Sequence, residues 1–260
     1  MRLISWNVNS IRARLPRVLE LLDHHRPDVV CVQETKVAAE AFPHEAIGEV
    51  GYRAIEHSEG RWNGVALLVP SDVEVAEPLG GLPGEPDPAE ARWIEASIAG
   101  VRVISVYVPN GREPSHPMFA VKLRFLEAAR ERLHELARSG PTVLAGDLNV
   151  ALEDRDVWDI AAFVDATHVT PEERAGLSAL LEGGFQDAFR EVAPDDEGFT
   201  WWDYRMGAFR RGMGMRIDYA LASRELQVRS AHVDTVFRRN NDQGDKPSDH
   251  APLVVELELP

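Results

Sequence analysis

The chain has 260 residues, enough for one sizeable α/β core, and no linker-like break in composition divides it, so a single domain over residues 1–260 is predicted. Its 28 basic and 43 acidic residues leave a formal charge of -15, which excludes a generally basic nucleic-acid coat; a polyanionic partner has to be met by a local basic patch or through a metal ion. One cysteine, Cys31, excludes an intramolecular disulfide, and no run approaches the roughly 18 apolar residues of a membrane span.

Along the chain, "RLISWN" opens as a strand and carries no continuous signal-peptide hydrophobic region. A helix follows, with Leu15, Val18, Leu19 and Leu22 at helical spacing and Pro16 tolerated in the first turn. "DVVCVQETK" reads as a strand covered on both faces, in which Cys31 is a reduced structural thiol; a cytoplasmic location is the expectation. "GVALLVP" is a third strand. Glu77 to Glu90, rich in glycine and proline, is expected to be a surface loop. "RWIEASI" and "VRVISVYVP" form two strands meeting at an Ala99-Gly100 turn. Phe125, Leu126, Ala129, Leu133 and Leu136 mark a long helix ended by Ser139-Gly140-Pro141, before the strand "TVLAGDLN". Thr170-Pro171-Glu172-Glu173 starts another helix with a capping box, and "RIDYALAS" and "APLVVELEL" are the last strands. Interspersed strands and helices of this kind predict mixed sheets covered by helices.

On that outline, polar residues collect at the C-terminal tips of strands: Asn7 after "LISW", Glu34 after "VVCVQ", and Asp147 and Asn149 in "GDLN". In open α/β sheets ligands bind outside those tips. Each residue taken singly has a plainer role. Asn7, Asp147 and Asn149 suit turns, Glu34 suits an ion pair with Lys36, Tyr107 an ordinary strand aromatic, and His250 a cap on the last strand. Taken together, acidic and amide oxygens without a cysteine pair or a zinc-spaced histidine pair describe a hard-cation site of the magnesium or manganese type, with Glu34 holding the cation.

"ISWNVNSIRAR", "VVCVQETK", "YVPNG", "GDLNVA", "GMRIDYALAS" and "SDHAPL", in this order, resemble the exodeoxyribonuclease III family of abasic-site DNA repair enzymes, within the wider exonuclease/endonuclease/phosphatase group. The likeness runs from Leu3 to Leu257, and "FTWWDYR" with "RIDYALAS" narrows it to the DNA repair branch. The resemblance implies an α/β four-layer sandwich, two mixed β-sheets packed face to face with helices outside and the active site at one end of the sheets. It implies Glu34 as main metal ligand, with Asn7 and Asp249 beside it. Asp147 takes the acid/base role and Asn149 orients it. Tyr107 and His250 contact the scissile phosphate, and Asp218 fixes the His250 ring. Asn9 stands where some animal members carry aspartate, and Met215 where some carry tryptophan, which leaves Trp201 as the better candidate for the apolar pocket.

The expected partner is duplex DNA with abasic sites or 3′ ends, and the expected cofactor is Mg2+ with Mn2+ as the alternative. The acidic chain needs a confined patch to grip it. "YRMGAFRRGMGMR" offers Arg205, Arg210, Arg211 and Arg216 with no acidic residue between them, and Arg112 and Lys122 after "YVPNG" are placed on the other flank. A sibling phosphoesterase and a non-catalytic DNA-binding module are the competing readings. No exposed heptad or large apolar face is evident, so a monomer is expected.

Overall fold

The computed structural model describes residues 1–260. Apolar residues two apart along the central strands project to one side: Val29 and Cys31, Val65 and Leu67, Val101 and Val103, Val143 and Ala145 are all buried in one shared cluster. Two sheets therefore face each other across this layer. Intervening residues of the same strands point outward and are covered by helices, which explains strands that are apolar at nearly every position.

The first sheet has the order β13-β14-β1-β2-β4-β3 and the second β5-β6-β7-β8-β12-β9. The strands are β1 (Arg2–Asn7), β2 (Val29–Gln33), β3 (Tyr52–His57), β4 (Val65–Pro70), β5 (Val75–Gly80), β6 (Trp93–Ile98), β7 (Val101–Tyr107), β8 (Thr142–Asp147), β9 (Phe185–Asp187), β12 (Asp218–Ser223), β13 (Gln227–Val233) and β14 (Leu253–Glu258); β10 (Trp201–Trp202) and β11 (Gly214–Met215) form a separate ribbon. Each large sheet has one parallel pair at its centre, β1 with β2 and β7 with β8, flanked by antiparallel neighbours. Parallel strands need a crossover, and each pair has a helical one: α1 (Leu15–His25) in the first sheet, α3 (Pro117–Leu136) in the second. Val18, Leu21 and Leu22 of α1 and Ile47 of α2 (His44–Glu49) pack on Ile4, Trp6, Val30 and Leu68. On the other side Phe125, Leu126, Ala129 and Leu133 of α3, with Leu177 and Leu180 of α4 (Pro171–Glu182), pack on Ile104, Leu144 and Leu221. Short α5 (Ala188–Val192) adds Phe189 to the edge of the inter-sheet layer. The result is the expected four-layer sandwich.

Local signals hold. Pro16 sits in the first turn of α1, and α4 begins with the capping box, Glu173 N donating to Thr170 Oγ1 at 3.2 Å and Thr170 N to Glu173 Oε2 at 3.1 Å. Ala99 (φ 49°) and Gly100 (φ 79°) make the tight left-handed turn between β6 and β7. Cys31 is fully buried, and burial pushes its thiol up. One expectation is corrected: Glu77 to Gly80 belong to β5 and not to a loop. This is an edge strand, where Pro78 removes no needed donor and a register shift between Ala76 and Leu79 absorbs the irregularity.

Candidate active site

Strand direction determines which end of the sandwich becomes chemical. Asn7 ends β1, Glu34 follows β2, Tyr107 ends β7, and Asp147 ends β8, while Asp218 begins the antiparallel β12. Register places Tyr107 and Asp218 on either side of Asp147. Gly146 precedes it because a Cβ there would lie 1.9 Å from the Val106 carbonyl oxygen. Past the strand ends the backbone turns through left-handed conformations at non-glycine residues: Asn9 (φ 45°), Glu34 (φ 53°), Asn149 (φ 52°) and His168 (φ 78°). Such conformations are uncommon and cost free energy, so their concentration at one edge marks a place held for a purpose.

The side chains converge in a cavity of about 200 Å3, whose lining includes Glu34, Tyr107, Asp147, Asn149, Asp249 and His250. Asn7 is fully buried and donates through Nδ2 to Glu34 Oε1 at 2.7 Å and to Asp147 Oδ2 at 3.0 Å, tying the two sheets together. Asp147 Oδ1 accepts from Asn149 N at 2.9 Å. His250 Nδ1 lies 2.8 Å from Asp218 Oδ2, and its Nε2 faces Asp147 Oδ2 at 3.8 Å. Asp249 accepts from Asn9 Nδ2 at 3.0 Å and from Trp201 Nε1 at 3.1 Å. Glu34 also pairs with Lys36 at 2.5 Å, and Lys36 donates to Asn9 Oδ1 at 2.7 Å. The ion pair of Glu34 with Lys36 that the sequence suggested is thus present.

Charge is crowded here. Burial pushes the Asp147 carboxyl up, and the nearby Asp218 and Glu34 push it further, to about 7 despite the opposing pull of His250 and Asn7. Burial disfavours a charged His250, but Asp218 at its Nδ1, with Asp147 and Asp249 nearby, outweighs that and raises it to about 10. Burial raises the Tyr107 hydroxyl, as do the charges of Glu34 and Asp147, so it stays a neutral donor. Burial works against charge on Asp249, yet His250 and the Asn9 and Trp201 donors hold it low. Oxygen and imidazole donors of Glu34, Asp147 and His250 all lie within 4.8 Å of one another. An acidic cluster with one imidazole fits a hard divalent cation, whose charge would relieve the crowding that elevates Asp147.

Against this geometry, the model of the Endonuclease/Exonuclease/phosphatase family matches residues 4–250. The chain is 33% identical to exodeoxyribonuclease III of Haemophilus influenzae, covering 99% of this chain and 100% of the relative. The chain belongs to the endonuclease/exonuclease/phosphatase family, in its exodeoxyribonuclease III branch. It is 34% identical to the DNA repair nuclease APEX1 of Danio rerio, over 99% of this chain and 82% of that one. Among solved structures, the 3′ phosphatase NExo from Neisseria bound to a product DNA hairpin superposes with a TM-score of 0.94 at 34% identity, covering 99% of both chains. An AP endonuclease from Archaeoglobus fulgidus gives 0.93 at 34% identity, covering all of both chains. This member of the family is a nuclease-type hydrolase, and no helix in it is long and apolar enough to cross a membrane.

Beside this polar cavity lies an apolar one of about 530 Å3, and the two share His168, Trp201 and Met215. Its other walls include Trp158, Phe163, Met206 and Met213. Arg210 and Arg211 are exposed, as is Arg205, which is held by Asp203 at 2.7 Å. Met206 projects among them, 74% exposed. Arg112 is exposed on the other flank.

Two expected DNA contacts are corrected. Arg216 is 1% exposed and bonds Asp156 at 2.9 Å and Asp187 at 2.6 Å, so it braces the fold beneath the site. Lys122 is fully buried: its Nζ donates to the Asn149 carbonyl at 2.6 Å and the Asn110 carbonyl at 3.3 Å, and is ion-paired with Glu173. Its position was readable, since Lys122 stands three and four residues before Phe125 and Leu126 on the buried stripe of α3. Sequence reasoning also missed Asn110 and His168. Asn110 Nδ2 donates to Asn149 Oδ1 at 3.2 Å, and His168 Nδ1 lies 2.5 Å from the Asn149 carbonyl. Burial and the nearby Lys122 lower His168 to about 4, which keeps it neutral. Asn110 stood inside the motif "YVPNG", whereas nothing local distinguishes His168.

Proposed function

We propose that this protein is a DNA repair phosphodiesterase that cleaves 5′ to abasic sites in duplex DNA and processes 3′ ends, as a 3′-to-5′ exonuclease and by removal of 3′ blocking groups, with Mg2+ or Mn2+ as cofactor. The observation that carries this reading is the meeting, in one small cavity, of a carboxylate near neutrality (Asp147), a charged imidazole (His250) and a neutral phenol (Tyr107), beside an apolar chamber.

Each group has a task in displacement at phosphorus. Asp147, with a pKa near the working pH, takes the proton of the attacking water, and its Oδ1 is fixed by the Asn149 backbone so that Oδ2 faces the cavity groups. His250 is kept charged by Asp218 and donates from Nε2 to a phosphoryl oxygen as charge accumulates there. Tyr107 donates its hydroxyl to a second oxygen. Glu34, with Asn7 and Asp249 alongside, holds the divalent cation, which when bound supplies Lewis-acid neutralisation of the phosphate. Trp201 and Met215 wall the chamber that receives the baseless sugar or the terminal residue; a nucleotide without a base has little stacking to lose on entering it. Arg210 and Arg211 supply the local positive charge that a protein of net charge -15 requires.

The test is cleavage of an end-labelled duplex bearing one stable abasic analogue, beside an intact duplex with a recessed 3′ end, each with magnesium and with chelator. A metal-dependent nick 5′ to the lesion and shortening of the recessed end are expected. Failure to cleave either duplex by a folded, metal-loaded sample would refute the reading and favour a sibling phosphoesterase.

A further inference from the structure

Side chains alternate along a strand, so the two residues of β10 face opposite ways. Trp201 lines the catalytic cavity and the apolar chamber, whereas Trp202 lines a separate cavity of about 290 Å3 on the flank of the sandwich. The flank cavity has no lining residue in common with the other two. Its apolar walls are Phe189 of α5, Phe199, Trp202, and Ala231 and Val233 of β13.

β13 is the outermost strand of the first sheet and pairs only with β14; none of residues 227–233 makes a backbone hydrogen bond outside that ladder. Its outward N–H and C=O groups therefore have no backbone partner. Beyond the register shift between Val228 and Ser230, the strand runs regularly from Ser230 to Val233 beside the cavity, and a regular open edge accepts an added strand. Asp196 and Glu197 form the acidic rim, with Glu191 and Asp195 close by in the chain. All four are exposed and none is in an ion pair. The arginines of the two flanking elements are engaged elsewhere, Arg190 with Asp156 at 2.5 Å and Arg229 with Glu258, which leaves His232 as the one basic side chain on the walls. An apolar pocket under free carboxylates selects a cationic occupant with an apolar anchor. The rim repels nucleic acid, and a second copy of the chain brings the same net charge of -15.

We propose that this flank docks an extended segment of a partner protein, which adds as a strand to the edge of β13, sets a large apolar side chain among Phe199, Trp202 and Val233, and places Lys or Arg side chains against Asp196 and Glu197. The segment is held apart from the catalytic cavity, so docking is compatible with bound DNA. This goes beyond the nuclease reading and does not depend on it.

The probe is a capped heptapeptide, Lys-Arg-Val-Phe-Val-Arg-Lys, titrated by isothermal calorimetry at physiological salt. One-to-one binding is expected. Replacing the peptide's phenylalanine with alanine should weaken it roughly 10- to 150-fold, the range for burial of one such side chain. Asp196→Asn with Glu197→Gln should weaken it roughly 2- to 30-fold, as the loss of two exposed ion pairs does, while Asn keeps the acceptor for Gly198 N. Asp72→Asn with Glu74→Gln removes the same charge from the exposed turn before β5 and should leave the affinity unchanged. N-methylation of alternate peptide amides should abolish binding in one phase of the alternation and be tolerated in the other, because only one edge of the added strand faces β13. An abasic duplex added with chelator should not displace the peptide. Absence of binding, equal losses in the two double variants, indifference to the phenylalanine, tolerance of both methylation patterns, or displacement by the duplex would each overturn the proposal.

Discussion

Replacing Lys122 with methionine tests whether a buried ion pair braces the active site. Lys122 and Glu173 are both fully buried, and Lys122 joins three segments of chain: Asn110 after β7, Asn149 after β8, and the His168 loop, through Glu173. Lys122→Met leaves the Glu173 carboxylate without its counter-charge, although Thr167 Oγ1 and His168 N still donate to it, at 2.6 and 3.0 Å. Removing one partner of a buried pair costs about 3–5 kcal/mol. At ~2–4 °C per kcal/mol for a chain of this size, the unfolding midpoint should fall by roughly 6–20 °C. A second variant, Lys122→Met with Glu173→Gln, removes the stranded charge while keeping an acceptor for His168 N, and should recover much of the stability. Its turnover should stay low, because the Asn149 and Asn110 carbonyls still lack the Lys122 ammonium that ties them together, and Asn149 positions Asp147. Displacements of this kind cost on the order of 100-fold in rate. Thermal unfolding and single-turnover cleavage at saturating DNA separate the two effects. Lys122→Met within ~1 kcal/mol of wild type would refute the energetic argument, and wild-type turnover in the double variant would refute the positioning role.

The His250 pair with Asp218 has a defined pH signature. Because the folded value is raised from 6.5 to about 10, its contribution to stability is complete below pH 6.5 and is lost as pH rises through about 10. An NMR titration should therefore show the metal-free His250 ring still charged at pH 8, and Asp218→Asn should bring its midpoint down; a wild-type midpoint near 6.5 would contradict the assignment. Chelator should abolish cleavage, and magnesium at a hundred times its dissociation constant should stabilise the wild type by about 2.7 kcal/mol, raising its unfolding midpoint more than that of Glu34→Gln. Equal shifts in both proteins would remove Glu34 from the cation site. Arg210→Ala with Arg211→Ala should weaken all duplexes alike and lower the slope of log affinity against log salt by roughly 2, since each phosphate contact accounts for about 0.9. An unchanged slope places the DNA elsewhere.

Much of this protein was legible in its sequence because the signals are local. Strand periodicity, the Thr170 capping box, the Ala99-Gly100 turn and the motifs containing Glu34, Asp147 and His250 each depend on residues a few positions apart. The polar edge strands β3, β5 and β13 were less visible, since a strand covered on fewer sides does not need an apolar run. Only the tertiary structure decided which cations face DNA. Lys122 and Arg216 look in sequence like the exposed Arg210 and Arg211, but their counter-charges arrive from far along the chain, Glu173 51 residues from Lys122 and Asp156 60 residues from Arg216. A charged side chain can be buried only where such a partner meets it, and that meeting is a property of the folded chain.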